Sequence, residues 1–139
     1  MQQSDDRLDP TRLEGMPLFA DLSDEERTRV AACMRDVAVE AGTVLATEGE
    51  NAYQLFVIET GEAEIRKGGE HIRMLRAGDF FGEIGLLATG TRTASVIATT
   101  PMRLLAMFSA EFKQIEGQMP SVAEALRATM RERVARTSF

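Results

Sequence analysis

A carboxylate, glycine-loosened backbone and an arginine crowd into residues 81–98, Phe-Gly-Glu-Ile-Gly-Leu-Leu-Ala-Thr-Gly-Thr-Arg-Thr-Ala-Ser-Val-Ile-Ala. Gly82 lets backbone approach a ligand closely. Glu83 opens a short apolar stretch, Ile84 to Leu87, long enough for one helical turn, and Thr89-Gly90-Thr91 breaks it. Arg92 then stands at the head of a β-branched run. Amides at the start of a helical turn attract anions, and a guanidinium grips a phosphate through two parallel, charge-assisted hydrogen bonds. Glu83 repels a phosphate but accepts hydrogen bonds from a sugar hydroxyl. The set suits a small anion that carries sugar hydroxyls.

Other chemistry finds little support. His71 is the only histidine, so no multi-histidine metal centre of the cupin kind can be built. Ser95 has no histidine placed by a hydrolase motif, and there is no Gly-x-x-x-x-Gly-Lys-Ser/Thr loop. The reading is of a non-enzyme that needs no metal or cofactor. Lone Cys33 excludes an internal disulfide and suits a reducing compartment. A formal net charge of −6 argues against direct nucleic-acid binding, which wants a basic face. The same acidity means that an anionic ligand needs a local positive site.

The elements that must hold these residues follow from texture. One domain is expected from 139 residues: a flexible arm over residues 1–11, the domain over 12–135 and a tail over 136–139. Leu13, Met16 and Leu18-Phe19 read as a short helix and apolar plug. Ser23 with Glu26 forms a capping box for a helix ending near Met34. Glycine-punctuated runs then predict strands at 36–40, 43–47, 53–59, 62–67, 71–75, 93–99 and 102–107, with Lys67-Gly68-Gly69-Glu70 a hairpin turn. Ser109 is expected to cap a helix that Gly117 ends, and Ser121 with Glu124 to cap a second one after Pro120. Val122, Ala125, Leu126, Thr129, Met130 and Val134 fall on one face of that helix. This face packs either on the body or on a second copy, which makes a homodimer through the last helix an expectation. The polar, acidic N-terminus reads as no signal peptide. No apolar run nears the roughly 20 residues that span a bilayer, so a soluble, cytoplasmic chain is expected. The fold class is α+β: a jelly-roll-like β-roll with N-terminal helices and two C-terminal closing helices.

The loop resembles the phosphate-binding cassette of cyclic nucleotide-binding domains. That pattern runs Phe-Gly-Glu, an aliphatic residue, a small residue and Leu, then after a gap Arg, a small or hydroxyl residue, Ala, and Ser or Thr. Phe81, Gly82, Glu83, Ile84, Gly85, Leu86, Arg92, Thr93, Ala94 and Ser95 match it in order. Glycine-punctuated strands upstream and two helices downstream extend the resemblance over about residues 12 to 135. It implies a regulatory sensor of a cyclic mononucleotide, cAMP ahead of cGMP, whose C-terminal helices move on binding.

Carried onto this sequence, the resemblance has Arg92 pairing with the exocyclic phosphate and Gly82 and Glu83 holding the ribose 2′-hydroxyl. Amides of Gly85 and Thr93, with Ile84 and Leu86, complete the cradle, and Ala94 flanks it. Ile65, Ile72, Leu75 and Phe81 are expected walls for sugar and base. Arg127, Thr129 and Met130 are candidates to cap the base from the last helix, with Gly117 and Met119-Pro120 as hinge. Gly85 departs from the commoner Ala or Ser. Thr93 leaves the base open, since a threonine after the arginine favours cGMP in some kinases while Arg-Thr-Ala also occurs in cAMP-preferring channels. The effector is not implied. The rival is a β-roll that kept the loop as scaffold and serves as a ligand-free interaction or dimerisation module.

Overall fold

The computed structural model describes residues 8–50, 54–82, 92 and 94–136, the side chains of residues 133–136 excepted. Two 3-10 turns, Pro10–Leu13 and Pro17–Phe19, precede helix α1 (Asp24–Ala31). The strands are β1 (Arg35–Val39), β2 (Val44–Ala46), β3 (Gln54–Thr60), β4 (Ala63–Lys67), β5 (Glu70–Leu75), β6 (Phe80–Phe81), β7 (Ser95–Ala98) and β8 (Met102–Phe108). Helices α2 (Ser109–Gln118) and α3 (Pro120–Arg136) follow. The strands pair antiparallel in two sheets, ordered β1-β8-β3-β6 and β2-β7-β4-β5. This is the α+β, jelly-roll-like β-roll with closing helices that the sequence predicts.

The central strands of the first sheet, β3 and β8, are buried on both faces, which explains why they read as nearly unbroken apolar runs. Side chains alternate across a strand with period two. In β3, Leu55 and Val57 point out to the helices, while Phe56 and Ile58 point into the roll. In β8, Leu105 and Met107 face the helices, and Leu104 and Ala106 face inward. Two cores result. The outer one packs the 3-10 turns, α1, α2 and α3 on the sheet, and the inner one fills the roll.

The β4–β5 hairpin turns at Gly68 and Gly69 with φ of 60° and 80°. Two consecutive positive φ values are what a two-residue hairpin loop of the favoured twist requires. Within this hairpin the register slips between Ile65 and Arg66: Ile65 pairs with Arg73, but Arg66 pairs with His71. Ile72 is thus the extra, unpaired residue of a β-bulge, and the bulge switches which face its neighbours occupy.

Local signals decide most of the helix ends. Ser23 accepts from the Glu26 amide at 3.1 Å and Glu26 accepts from the Ser23 amide at 2.8 Å, completing the predicted capping box. The last two helices correct the expectation. Phe108 rather than Ser109 is the N-cap of α2, its amide donating to Glu111 at 2.9 Å. Gly117 lies inside α2, and the break comes at Met119, with φ −141° and ψ 68°. Pro120 already opens α3, as suits a residue whose missing N–H costs nothing in the first turn. Ser121 is therefore inside the helix, and Glu124 turns to Arg127 and Arg131. The arm expected over residues 1–11 is described only from Leu8, which is buried in the outer core, and Asp9, which caps the first turn.

Arg12 fastens that first turn to the roll. Its Nε donates to Glu59 at 2.8 Å and its Nη2 to Asp36 at 3.1 Å, while Arg103 donates to Asp36 at 3.0 Å. Burial raises the Asp36 carboxyl, but the hydrogen bonds from Arg12 and Arg103 outweigh it and hold the group below its ordinary 3.8. A carboxylate depressed in the folded state adds stability above its unfolded value and loses it as pH falls through the folded one. Arg12→Met is therefore expected to lower the melting temperature at pH 7, with the gap to the parent narrowing from roughly pH 5 to pH 3. A gap that is constant across this range would show that Arg12 acts by packing rather than charge.

Candidate functional site

Strand β6 is only Phe80–Phe81, yet it fixes the geometry of the site. It pairs with β3, Phe81 opposite Phe56 and Phe80 opposite Val57. Phe81 stacks on Phe56 inside the roll, with ring centroids 5.2 Å apart, and adjacent Phe80 enters the outer core. Gly82 follows at φ +85°. A side chain there would run into the Gln54 carbonyl and the Arg92 guanidinium, its Cβ lying 3.3 Å from Arg92 Cζ. Gly82 is therefore required twice, by its left-handed backbone and by the close approach of Arg92.

Arg92 is also held through its main chain. Its amide donates to the Glu50 carbonyl at 2.7 Å, and its carbonyl accepts from the Gly49 amide at 3.0 Å. Ser95 Oγ accepts from the Glu48 amide at 2.9 Å, so the same turn is tied to the start of β7. Arg92 is half-buried, with Nη1 sealed from solvent. Beside it lies a cleft of about 240 Å³ lined by Leu45, Ala46, Thr47, Glu50, Gln54, Arg92 and Phe108. A cationic fork at the wall of a small cleft can hold an anion and orient it by two bonds.

The structure brings Gly82 and Arg92 together and places Ala94 in the inner core. Glu83, Ile84, Gly85, Leu86 and Thr93 lie outside the described residues. Ile65, Leu75 and Phe81 are buried inside the roll. Ile72 is not there: it is 37% exposed, because it alternates with the inward-facing Arg73 and Leu75.

The helix candidates also sit elsewhere. Met130 is fully buried in the outer core, and Thr129 Oγ1 donates to the Ala125 carbonyl at 3.2 Å. Arg127 braces the closing helices, paired with Glu116 of α2 and lying 5.7 Å over the Phe112 ring. Val122, Leu126 and Met130 spend the apolar face of α3 on the body of the protein. Sequence reasoning missed one inward residue. Arg73 lies opposite Ile65, and the signal was available, since Arg73 and Leu75 share strand parity.

Among the described residues no group of three or more His, Cys, Asp or Glu could hold a metal, and no helix is long and apolar enough to cross a membrane.

Comparison with known proteins fits this geometry. The model of the cyclic nucleotide-binding domain matches residues 36–118. A cAMP-dependent protein kinase regulatory subunit of Yarrowia lipolytica is 36% identical over 107 residues, covering 76% of this chain and 28% of the relative. The regulatory domain of Toxoplasma gondii PKA, solved with cAMP, superposes with TM-score 0.75 at 25% identity, covering 88% of this chain and 48% of that one. The catabolite activator protein of Thermus thermophilus gives TM-score 0.76 at 28% identity, covering 86% and 59%. The chain spans about a quarter to a third of the length of the curated relatives it matches.

Gly82→Ala is expected to cost about 1–3 kcal/mol in urea unfolding, because a non-glycine residue must adopt a strained φ and displace Arg92. A loss below about 0.5 kcal/mol, the size of an ordinary surface change, would mean that Arg92 does not pack on this glycine.

Proposed function

The chain belongs to the cyclic nucleotide-binding domain family, and from that premise we propose that it is a regulatory sensor of a cyclic mononucleotide, with cAMP the first candidate and cGMP the second. Arg92 takes the exocyclic phosphate. Gly82 and Glu83 take the ribose 2′-hydroxyl, and amides of Ile84, Gly85, Leu86 and Thr93 close the cradle beside Ala94. The observation that carries this reading is the Arg92 guanidinium seated on Gly82 beside a cleft of the roll. The assignment to cAMP leans on the likeness to a regulatory subunit of a cAMP-dependent kinase and to the Toxoplasma gondii regulatory domain solved with cAMP. The work is regulatory rather than catalytic, and a cytoplasmic setting is part of the proposal.

The response is motion of α2 and α3. Phe81 and Phe80 are neighbours in sequence but face opposite cores, Phe81 inside the roll and Phe80 among the helices. A ligand that shifts the residues beside Gly82 therefore acts on the packing of the helices through one short strand. The size of the shift is bounded by the difference in ligand affinity between the two placements. Met119-Pro120, where the helical path breaks, is the natural hinge.

Titration calorimetry with cAMP and cGMP tests the reading, with micromolar-range or tighter binding of at least one expected. Arg92→Ala is expected to weaken it by about thirty-fold to several thousand-fold, since a desolvated charge loses its partner. Unchanged affinity in that variant would remove Arg92 from the site, and no binding to the parent would leave an empty scaffold.

A further inference from the structure

The turn that holds Arg92 is itself held from outside the site. Residues 47–50 form it: the Glu50 amide donates to the Thr47 carbonyl at 3.1 Å, and Gly49 takes φ +87°. Three of its backbone groups serve the segment that carries Arg92. The Glu50 carbonyl accepts from the Arg92 amide at 2.7 Å, and the Gly49 amide donates to the Arg92 carbonyl at 3.0 Å. The Glu48 amide donates to Ser95 Oγ at 2.9 Å. Thr47 and Glu50 also line the cleft. Arg92 therefore stands where this turn stands.

The Glu48 side chain takes no part in the cleft. Its Oε1 accepts from the Gly68 amide at 2.9 Å, across 20 residues of sequence, at the tip of the β4–β5 hairpin. Gly68 and Gly69 lie beyond the last ladder pair, Lys67 with Glu70, so the Gly68 amide is free for an acceptor from outside the hairpin. A carboxylate on a main-chain N–H makes a charge-assisted bond. Among the described residues, Glu48 is the only one of the four whose side chain anchors the turn to another part of the chain. An acid at this place needs a reason. A negative charge beside an anion site works against the ligand, and the chain already carries a net charge of −6.

We propose that Glu48 is a positioning residue of the anion site: by bonding the hairpin tip it fixes the turn that fixes Arg92. This rests on the nucleotide-sensor reading above. The carboxylate acts through the main chain and touches no ligand. What it supplies is order, since a guanidinium whose backbone is already placed loses less freedom when the anion arrives. The bond lies at the exposed surface, so it adds little to global stability and its effect stays within the turn.

Calorimetry with whichever of cAMP and cGMP binds more tightly tests this on the full chain, E48A, E48Q, R92A and the double variant E48A/R92A. E48A is expected to weaken binding roughly three- to thirtyfold. E48Q keeps an acceptor for the Gly68 amide and sheds the charge, so it is expected to bind at least as tightly as the parent. In the R92A background E48A is expected to cost no more than about twofold, because the group it positions is gone. Ligand-free E48A should melt within about 2 °C of the parent. Its Gly49 and Arg92 amides should exchange hydrogen faster than those of the parent or E48Q. Unchanged or tighter binding by E48A, an equal loss in E48Q, or the same E48A loss with and without Arg92 overturns the assignment and leaves the sensor reading intact. A larger fall in melting temperature, with exchange faster along the whole chain, overturns it too, since Glu48 would then act on the fold. If the parent binds neither nucleotide, both readings fall together.

Discussion

The approach of a guanidinium to a bare α-carbon is the constraint on which the rest of this structure turns. Arg92 lies where a side chain at residue 82 would have to be. The position is set from both directions. Two backbone hydrogen bonds fasten Arg92 to the turn at Gly49 and Glu50, and the pairing of β6 with β3 delivers Gly82. A long, flexible side chain normally loses much rotamer freedom when it is held in one place. Here the main chain of Arg92 is itself tied to Gly49 and Glu50, so less of that loss would fall on binding an anion. The acidic surface of the chain makes such a local site necessary, because the net charge of −6 gives no general attraction for an anion.

The two cores give that site its mechanical setting. A sheet with only one buried face would isolate the ligand from the helices behind it. In this chain β3, β6 and β8 send alternate side chains into the roll and into the helical layer. Close-packed interiors transmit displacement rather than absorbing it. The shortest path is the pair Phe80 and Phe81, one residue in each core. The helices meanwhile hold together on their own account: Arg127 ties α3 to Glu116 and Phe112 of α2. Bending at Met119-Pro120, the hinge proposed between the two helices, would have to break that brace.

Much of this was legible in the sequence, because the signals were local. Alternation, glycine punctuation and the Ser23–Glu26 box pointed to the β-roll and the first helix; the cassette pattern assigned Arg92 and Gly82 to different parts of one ligand, and only the structure shows their close approach. What escaped was set by tertiary geometry. Ile72 reads as an inward apolar residue, but the pairing of β4 with β5 puts Arg73 and Leu75 on the inner face and Ile72 on the solvent side. Arg73 shares the inward parity of Leu75, yet a charged residue between an isoleucine and a methionine reads as the one that faces solvent. Ser109, Gly117 and Ser121 carry strong end signals and lose to the chain's path, since the outer core needs Phe112 and Ile115 on one continuous turn of α2 and Val122 already seated in α3. Met130 was a lid candidate through the family resemblance and its place on the apolar face, and helical period cannot tell a base lid from a buried face.

The most direct test of the central claim is a crystal structure of the chain grown with cAMP or cGMP. The account predicts the phosphate within hydrogen-bonding distance of the Arg92 guanidinium, next to Gly82. Density for the nucleotide elsewhere on the protein, or a cleft that stays vacant at saturating ligand with Arg92 unmoved, would contradict it.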